Sequence, residues 1–424
     1  MQFIDGGVTA PSGFTANGIH SGLKESRKTN DTALVFCDVM CNAAGIFTKN
    51  RVQAECVKFT KKNIEGGKIR AAVCNVCYAN ACTGQEGYNN AVRTAKSVAQ
   101  SLKISEDNVI VCSTGIIGQQ VPVEKIEANM ERLAAGLSKE GHKEARIAIM
   151  TTDTHFKECA VETQIGGKNV RIGCMCKGSG MIHINMGTML SFVTTDCAIS
   201  PEMLKKALLL SVEGTYNCVS VDGDTSTNDT LTIMASGKAG NKEIVSEGKD
   251  FDDFLAALNT VNTVMAMKIA ADGEGAEHLV ECTVKGAKDV ATARVLAKSV
   301  ISSNLVKAAI YGKDANCGRI LCALGYSGAE FNPDKCSVYF SSKKNAARYF
   351  DVLADGKAEV AGEDRIEVIH DGVGLSFDEE KAADILSQEA VEIEVNLADG
   401  SAQGKAWGCD LTYDYVKING DYRT

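Results

Sequence analysis

The sequence predicts a mixed α/β protein in which helices and strands pack in layers. Short apolar runs at Val109–Cys112 and Ile147–Met150 have the length and branched side chains of buried strands. Apolar and polar residues alternate over 391–397, which predicts a half-buried strand. Longer segments repeat apolar residues at helical spacing, at 91–102, 123–137 and 251–269. Since both kinds of element have an apolar face to bury, layers of helix and sheet are the expected arrangement.

Local signals mark further helix starts and the end of the chain. Ser200 offers a capping hydroxyl before Pro201 and Glu202, which is typical of a helix N-terminus. Another helix is predicted over 378–386. The chain stays apolar and aromatic from Trp407 onward, which predicts a tail that packs against the protein, because chain ends are usually polar and frayed.

Composition bounds the class of protein. The chain has 424 residues, 45% of them apolar, which allows two or three ordinary domains or one large one. A net charge of −9 lacks the basic surface that nucleic-acid binding requires, and no basic amphipathic segment suggests membrane contact. No apolar stretch approaches the roughly 18 uncharged residues that span a bilayer. The first residues lack the basic start and apolar segment of a signal peptide, so we expect a cytoplasmic protein.

Metal sites are not expected. The 17 cysteines are an odd number in a large chain, which favours reduced thiols that act as small core residues. Their tight groups, at 74–82 and 174–176, lack the second pair that zinc sites use. The acidic loop Asp222–Asp229 resembles the start of a calcium loop, but Thr227 and Ile233 stand where glycine and glutamate are needed.

The segment 177–190 offers the most specific chemistry. Gly187 precedes Thr188, and an apolar, β-prone run follows. If the bond between these two residues breaks, Thr188 gains a free α-amine beside its hydroxyl. That places a nucleophile and a general base on one residue, the N-terminal threonine form of nucleophilic catalysis. On local grounds alone, a glycine-rich loop that enters a buried strand explains the same residues.

Two other segments carry candidate site residues. Thr114 and Gly115 follow a predicted strand, where a hydroxyl and main-chain N–H groups can stabilise an oxyanion; an ordinary strand-to-helix turn is the alternative. Glu274 lies between two glycines and can meet a substrate ammonium, unless it belongs to a solvated loop at a helix end. No strand is followed by the G-x-G-x-x-G pattern, so a nicotinamide enzyme is not supported.

Taken together, these segments resemble one family. From residue 13 to residue 424 the chain is similar to the ornithine acetyltransferase family of arginine biosynthesis, the bifunctional glutamate N-acetyltransferases/amino-acid acetyltransferases. Nine motifs in order make the resemblance far more specific than any one alone. They are Thr48–Arg51, Asn80–Gly84, Ser113–Gly115, Thr151–Thr154, Lys177–Gly180, Met186–Leu190, Asp222–Asp229, Asp272–Gly275 and Tyr415–Asn419.

The resemblance implies a fold and a processing step. The expected fold is a layered αββα sandwich like that of N-terminal nucleophile enzymes, with different connectivity. Self-cleavage between Gly187 and Thr188 is expected to give an α chain of 1–187 and a β chain of 188–424. The two chains form one interlocked catalytic unit and usually an α2β2 heterotetramer.

The resemblance also assigns roles. Acetyl passes from N2-acetyl-L-ornithine to glutamate through an acetyl-Thr188 intermediate, which gives ornithine and N-acetylglutamate. No cofactor or metal is implied; acetyl-CoA as a second donor is left open, because bifunctional and monofunctional members share these motifs. The oxyanion pair corresponds to Thr114 and Gly115. Substrate-binding positions correspond to Lys177, Thr188, Glu274, Asn419, Thr424 and one of Thr151, Thr152 and Thr154.

Two other functions are compatible with the sequence. A related self-cleaving aminopeptidase or amidase would use the same nucleophile and pass the acyl group to water. A non-catalytic α/β protein that senses amino acids would bind the same ligands and never become acetylated. Acetyl transfer to glutamate, set against hydrolysis and against simple binding, separates the three.

Overall fold

The computed structural model describes residues 1–183, 189–342 and 364–421. By its contacts the chain divides into two compact units. The first consists of Met1–Gly178, Asn185–Tyr216 and Thr225–Met265, and the second of Ser179–Ile184, Asn217–Asp224 and Ala266–Thr424. The predicted cleavage point between 187 and 188 lies outside the described residues. Segments from both sides of that point enter each unit.

A nine-stranded sheet organises the first unit. Its strands are β1 Gln2–Phe3, β2 Phe14–Ile19, β3 Thr32–Phe47, β4 Lys68–Asn75, β5 Val109–Ser113, β6 Lys157–Ile165, β7 Lys168–Lys177, β9 Leu190–Thr195 and β11 Thr230–Ala235. Their order in the sheet is β1-β6-β7-β9-β11-β3-β4-β5, and β2 pairs with β3 beside this path. The long strand β3 has a register shift between Phe36 and Cys41 where it pairs with β4.

Both faces of this sheet are buried. Successive side chains of a strand point to opposite faces, and accordingly Ile110 and Cys112 belong to one apolar cluster while Val109 and Val111 belong to another. The second cluster includes Ala91 and other residues of a long helix. Burial on both faces explains why the apolar runs in these strands are nearly continuous.

The helices of the first unit confirm most of the helical segments predicted for it. The capping hydroxyl of Ser200 accepts a hydrogen bond of 3.3 Å from the N–H of Met203, as the sequence predicted. The helices are α1 Glu55–Ile64, α2 Gly84–Leu102, α3 Val123–Ala135, α4 His142–Ala148, α5 Pro201–Gly214 and α6 Lys249–Ala271, the last of which continues past residue 265.

The strand predicted over Ile147–Met150 is wrong. The run forms the end of α4 and its C-cap, and Ala148 and Ile149 enter an apolar core on one side of the sheet. A short apolar run fits a buried helix end as well as a buried strand, so periodicity could not distinguish them.

A six-stranded sheet and a two-stranded sheet organise the second unit. The strands are β8 Ile182–His183, β10 Ser220–Thr225, β12 Leu279–Ala287, β13 Ser337–Ser342, β14 Asp364–His370, β15 Val373–Gly374, β16 Ala390–Asn396 and β17 Ala402–Cys409. The larger sheet has the order β15-β14-β13-β16-β12-β17, and β8 pairs with β10 in the smaller one.

The helices of the second unit are α7 Val290–Ser302, α8 Asn304–Tyr311, α9 Cys317–Gly325, α10 Glu379–Leu386 and α11 Tyr413–Gly420. The predicted strand over 391–397 corresponds to β16, and the predicted helix over 378–386 corresponds to α10.

The end of the chain is less packed than predicted. Trp407 is buried, and its indole N–H donates a hydrogen bond of 2.7 Å to Glu281. Helix α11 has no buried residue, and Tyr413 and Val416 are 74% and 67% exposed. The tail is therefore buried as far as Thr412, whereas the helix after it contacts the protein through single residues, such as Tyr413 on Tyr311, and buries none of its own.

Two further features concern helix α6 and the cysteines. Among the described residues, α6 is the one helix long and apolar enough to cross a membrane, but 67% of its apolar window is buried inside the protein, and a core helix passes the same test. All 17 cysteines are free thiols. Most are buried, whereas Cys82 and Cys322 are exposed.

Candidate functional site

The turn after β5 holds the predicted oxyanion pair. The N–H of Thr114 donates a hydrogen bond of 3.0 Å to the carbonyl of Asn75 at the end of β4. The main-chain donor of Thr114 is therefore used. Its hydroxyl makes no hydrogen bond to any residue in the described part of the chain and is partly exposed. The hydroxyl is thus the Thr114 group left to meet a developing negative charge.

Gly115 is required by its surroundings. Its φ of +129° lies in a region that side chains avoid, and a β-carbon there would lie 2.3 Å from the main-chain carbon of Cys77. The next residue, Ile116, donates a hydrogen bond of 3.0 Å from its N–H to the Cys77 carbonyl. The two backbones therefore approach as closely as glycine allows.

Buried amides brace this turn from two sides. Asn75 accepts a hydrogen bond of 2.7 Å from the Ser113 hydroxyl. Asn228, in the loop before β11, donates from its side chain to the carbonyls of Ser113, at 2.8 Å, and Ala79. Because these amides are buried and bonded, they hold the turn in one geometry.

The predicted Thr151–Thr154 segment is organised by Asp153. One oxygen of this buried carboxylate, Oδ2, accepts the N–H of Thr151 at 3.0 Å. The other, Oδ1, accepts Lys157 Nζ at 2.7 Å and the N–H of Gly178 at 2.9 Å. Burial alone raises the pKa of Asp153, but the charges of Lys157 and Lys177 outweigh it and hold the pKa well below its usual range.

Lys177, the last residue of β7, is buried and lies within electrostatic reach of this cluster. Its charge also acts on a residue of β4. Burial raises the pKa of the Cys74 thiol, and the charge of Lys177 opposes that rise. The structure therefore brings Lys177 together with the Thr151 turn. Thr154, in contrast, is exposed, and its hydroxyl contacts His155 Nδ1 at 2.8 Å. Thr152 is partly buried.

The second unit brings Glu274 and Asn419 together. Glu274 is buried, and its Oε2 accepts a hydrogen bond of 2.8 Å from Asn419 Nδ2. The main-chain N–H of Glu274 donates at 3.0 Å to the carbonyl of Ser179. A carboxylate held in this way can bind a cation, since its charge is fixed in position and partly shielded from water.

Asp222 fixes the residues that follow Gly180. Its carboxylate accepts the N–H groups of Met181 at 2.6 Å, Ile182 at 2.9 Å and Asp224 at 3.2 Å. Burial raises the pKa of Asp222 in spite of these hydrogen bonds. Burial and the charge of Asp222 also raise the pKa of Tyr415, on the helix that carries Asn419.

The predicted site residues thus fall into three sets. Thr114, Gly115, Lys177 and the Thr151 turn belong to the first unit, and Glu274 and Asn419 to the second. Gly187, Thr188 and Thr424 lie outside the described residues.

Sequence reasoning missed the positioning role of three polar residues. Asp153 and Asp222 stand inside motifs that the sequence had singled out, and so does Asn228. Their roles depend on partners distant in sequence, such as Gly178 and Ser113, so only their presence in the motifs could have drawn attention to them.

Comparison with known proteins gives a consistent result. The sequence model of the ArgJ family matches residues 15–424. The "Arginine biosynthesis bifunctional protein ArgJ" of Caldanaerobacter subterraneus subsp. tengcongensis is 46% identical over 424 residues, which is 100% of both chains. The "Arginine biosynthesis bifunctional protein ArgJ 1" of Clostridium acetobutylicum is 47% identical over 411 residues, which is 97% of this chain and 96% of that protein.

Solved structures include two similar chains. A crystal structure of arginine biosynthesis bifunctional protein ArgJ from Bacillus halodurans is 41% identical, covers 54% of this chain and 97% of its own, and has a TM-score of 0.47. A structure of ornithine acetyltransferase complexed with ornithine, from Mycobacterium tuberculosis, is 36% identical, covers 45% of this chain and 99% of its own, and has a TM-score of 0.41.

Proposed function

Because the chain belongs to the ArgJ family, we propose that it transfers acetyl from N2-acetyl-L-ornithine to L-glutamate with Thr188 as the acetyl carrier. The chain is an enzyme of arginine biosynthesis, as relatives that match its full length at 41–47% identity indicate. The substrates and the intermediate are the parts of the proposal that need experiments.

The first step is self-cleavage. Thr188 Oγ attacks the carbonyl carbon of Gly187, and the peptide nitrogen leaves as the α-amine of Thr188. Water then hydrolyses the resulting ester, which gives a new carboxylate on Gly187 and restores the threonine hydroxyl. The products are an α chain of 1–187 and a β chain of 188–424 whose first residue combines nucleophile and base.

The second step is acetyl transfer. The α-amine of Thr188 takes the hydroxyl proton while Oγ attacks the acetyl carbon of N-acetylornithine. Ornithine leaves after its amine gains that proton, and the amine of glutamate then attacks the acetyl-threonine ester. Two displacements of this kind predict ping-pong kinetics.

One observation supports this chemistry most directly. The turn at Thr114 is rigidly braced, its main-chain N–H is already used, and its hydroxyl has no partner among the described residues. The braced turn fixes the place of the Thr114 hydroxyl, and a hydroxyl without a partner can turn its proton towards a tetrahedral intermediate without first breaking another hydrogen bond.

Lys177 suits a group that both substrates carry, whereas Glu274 suits the ornithine part of the donor. Lys177 is the cation proposed for the α-carboxylate that N-acetylornithine and glutamate share. Glu274 is the anion proposed for the ornithine ammonium, and Asn419 holds it in place. Thr424 and one threonine of the Thr151–Thr154 segment complete the proposed binding set.

The sheet supports the association of the two proposed chains. Strand β9 of the proposed β chain pairs antiparallel with β7 of the proposed α chain. Ile172 lies opposite Thr195 at one end of this pairing, and Lys177 lies opposite Leu190 at the other. The hydrogen bonds of a central sheet would keep the two chains together after cleavage. We propose an α2β2 heterotetramer in the cytoplasm, without a metal or a cofactor, and with acetyl-CoA as the one further donor to be tested.

Mass spectrometry under denaturing conditions tests the cleavage. We expect two polypeptides, the second beginning at Thr188. Thr188→Ala is expected to stay uncut and inactive, while Thr188→Ser, which keeps a hydroxyl, is expected to be cut. A single uncut polypeptide in fully active enzyme would refute the role of the Thr188 amine.

Assays of product separate the competing functions. Stoichiometric acetylation of Thr188 by N-acetylornithine, followed by release to glutamate, is expected. Release to water alone would indicate an amidase, and binding without acetylation would indicate a sensor. Formation of N-acetylglutamate with acetyl-CoA as the sole donor decides whether the enzyme is bifunctional.

A further inference from the structure

The Asp153 carboxylate joins two distant segments of the first unit. It accepts main-chain N–H groups from Thr151, at 3.0 Å, and from Gly178, at 2.9 Å. It also accepts Lys157 Nζ at 2.7 Å, and the side chains of both partners in this ion pair are 0% exposed. A buried carboxylate needs hydrogen bonds for its remaining lone pairs. Because these come from the main chain of Thr151 and of Gly178, the same side chain also ties the two segments together.

The sheet explains why these segments meet. Lys157 begins β6 and pairs in register with Cys176 of β7. Lys177 ends β7, and Gly178 therefore leaves the sheet beside the point where the Thr151–Thr154 segment leads into β6. The carboxylate of Asp153 bonds to both segments and fixes the peptide group that follows Lys177.

We propose that Asp153 is a positioning residue for substrate binding. By holding the N–H of Gly178, it fixes the direction in which the Lys177 side chain leaves β7, relative to the Thr151 turn. Lys177 then presents its ammonium where the substrate α-carboxylate binds. This inference rests on the proposed function, in which Lys177 binds that carboxylate.

Charge in the cluster supports this role. The charges of Lys157 and Lys177 both act on the Asp153 carboxylate. Lys157 Nζ lies 2.7 Å from Asp153 Oδ1 and its side chain is 0% exposed, whereas Lys177 keeps 9% exposure. Lys177 is therefore the cation of the two that an entering carboxylate can meet.

Two substitutions separate positioning from stability. Asp153→Asn and Lys157→Met each break the same buried ion pair, and each is expected to lower the melting temperature. Asp153→Asn also leaves a single oxygen, so the side chain can accept only one of the two main-chain N–H groups that the two carboxylate oxygens bind. We expect it to raise KM for N-acetylornithine and for glutamate by about tenfold or more, with kcat per cleaved enzyme changed less than about threefold. Lys157→Met is expected to leave both KM values within about threefold.

A double variant tests whether the effect acts through Lys177. Lys177→Met is expected to raise KM on its own, and the addition of Asp153→Asn is expected to raise it little further. If Asp153→Asn does not accumulate as folded protein, Asp153→Glu replaces it, since it keeps the charge but displaces both oxygens; an increase in KM is again expected.

Two results would overturn the inference: equal changes in KM for the Asp153 and Lys157 variants, or additive effects in the double variant. Failure of the wild-type chain to transfer acetyl to glutamate would overturn the proposed function and this inference together.

Discussion

The carboxylate of Glu274 lies directly against the α-carbon of Gly180. A β-carbon on Gly180 would be 2.3 Å from Glu274 Cδ and 2.3 Å from its Oε2. Non-bonded atoms do not approach a β-carbon so closely, so one of the two side chains would have to move. The glycine of the Lys177–Gly180 motif is therefore explained by the space that the acidic side chain takes.

Gly180→Ala is accordingly expected to displace the Glu274 side chain. Because that carboxylate is the proposed partner of the ornithine ammonium, KM for N-acetylornithine should rise by about tenfold or more. Steady-state kinetics on cleaved enzyme measure this. Gly325→Ala is the matched control, since a β-carbon there meets nothing within 4 Å. An unchanged KM in Gly180→Ala would contradict the proposed role of Glu274.

Asn419→Ala is expected to weaken donor binding without affecting the fold. It removes the hydrogen bond of 2.8 Å that orients Glu274, and a bond to a charged group typically contributes about 1.5–3 kcal/mol. KM for N-acetylornithine should therefore rise by about tenfold. Lys417→Ala serves as control, because it removes only an exposed ion pair with Asp414 from the same helix. Similar kinetics for the two variants would count against the contact.

Gly115→Ala is expected to lower kcat. The new methyl group would collide with the main chain of Cys77 and Tyr78, which cannot move aside as a flexible side chain can. Displacement of the turn would remove an oxyanion donor, which typically costs on the order of 10²-fold in rate.

Gly118→Ala provides the comparison for Gly115→Ala. Gly118 has a φ of +83° but open space around it, so that substitution carries backbone strain of about 1–3 kcal/mol and no collision. Only Gly115→Ala should combine a large loss of kcat with a small change in KM. Equal kcat values for both variants would argue against an oxyanion site at this turn.

The stability of the protein should fall between pH 6.5 and pH 4 in part because of His183. Burial, aided by the charge of Lys298, lowers the pKa of His183 to about 4 from an ordinary 6.5. In this range the unfolded chain binds a proton that the folded chain does not, so acid favours unfolding. Urea unfolding of His183→Gln at several pH values should show a weaker dependence than wild type.

His370 offers a control of opposite sign. The exposed imidazole contacts Glu367 at 2.7 Å, and this hydrogen bond raises the pKa of His370. Its contribution to stability is therefore present at low pH and is lost as the pH rises through the folded value. His370→Gln should leave the acid-dependent loss of stability between pH 6.5 and pH 4 in place. If His183→Gln behaves in the same way, the assignment to His183 is wrong.

Periodicity predicted the long helices and failed on one short segment. The amphipathic stretches at 91–102 and 251–269 extend over several turns, so only a helix satisfies them. Val109–Cys112 and Ile147–Met150 contain four residues each, and the first is a strand while the second ends a helix. Four apolar residues carry too little pattern to decide, and packing against the rest of the unit settled the outcome.

The site was predictable in composition but not in connectivity. Thr114 and Glu274 stood out because they carry a donor or a charge beside flexible glycines, whereas the role of Lys177 came from the resemblance to a known family. That Asp153 bonds to Gly178 depends on the pairing of β6 with β7, which no local pattern reveals. The apolar and aromatic tail was expected to pack against the protein, yet the helix after Thr412 buries no residue.

Burial protects the interior thiols from oxidants. Cys74 and Cys112 are register partners on β4 and β5, and Cys282 is fully enclosed within the second sheet. Burial raises the pKa of all three, so each stays a protonated thiol of low reactivity. The exposed Cys82 and Cys322 lack this protection. Chemical ageing of this enzyme should therefore begin at these two surface thiols and leave the packed scaffold intact.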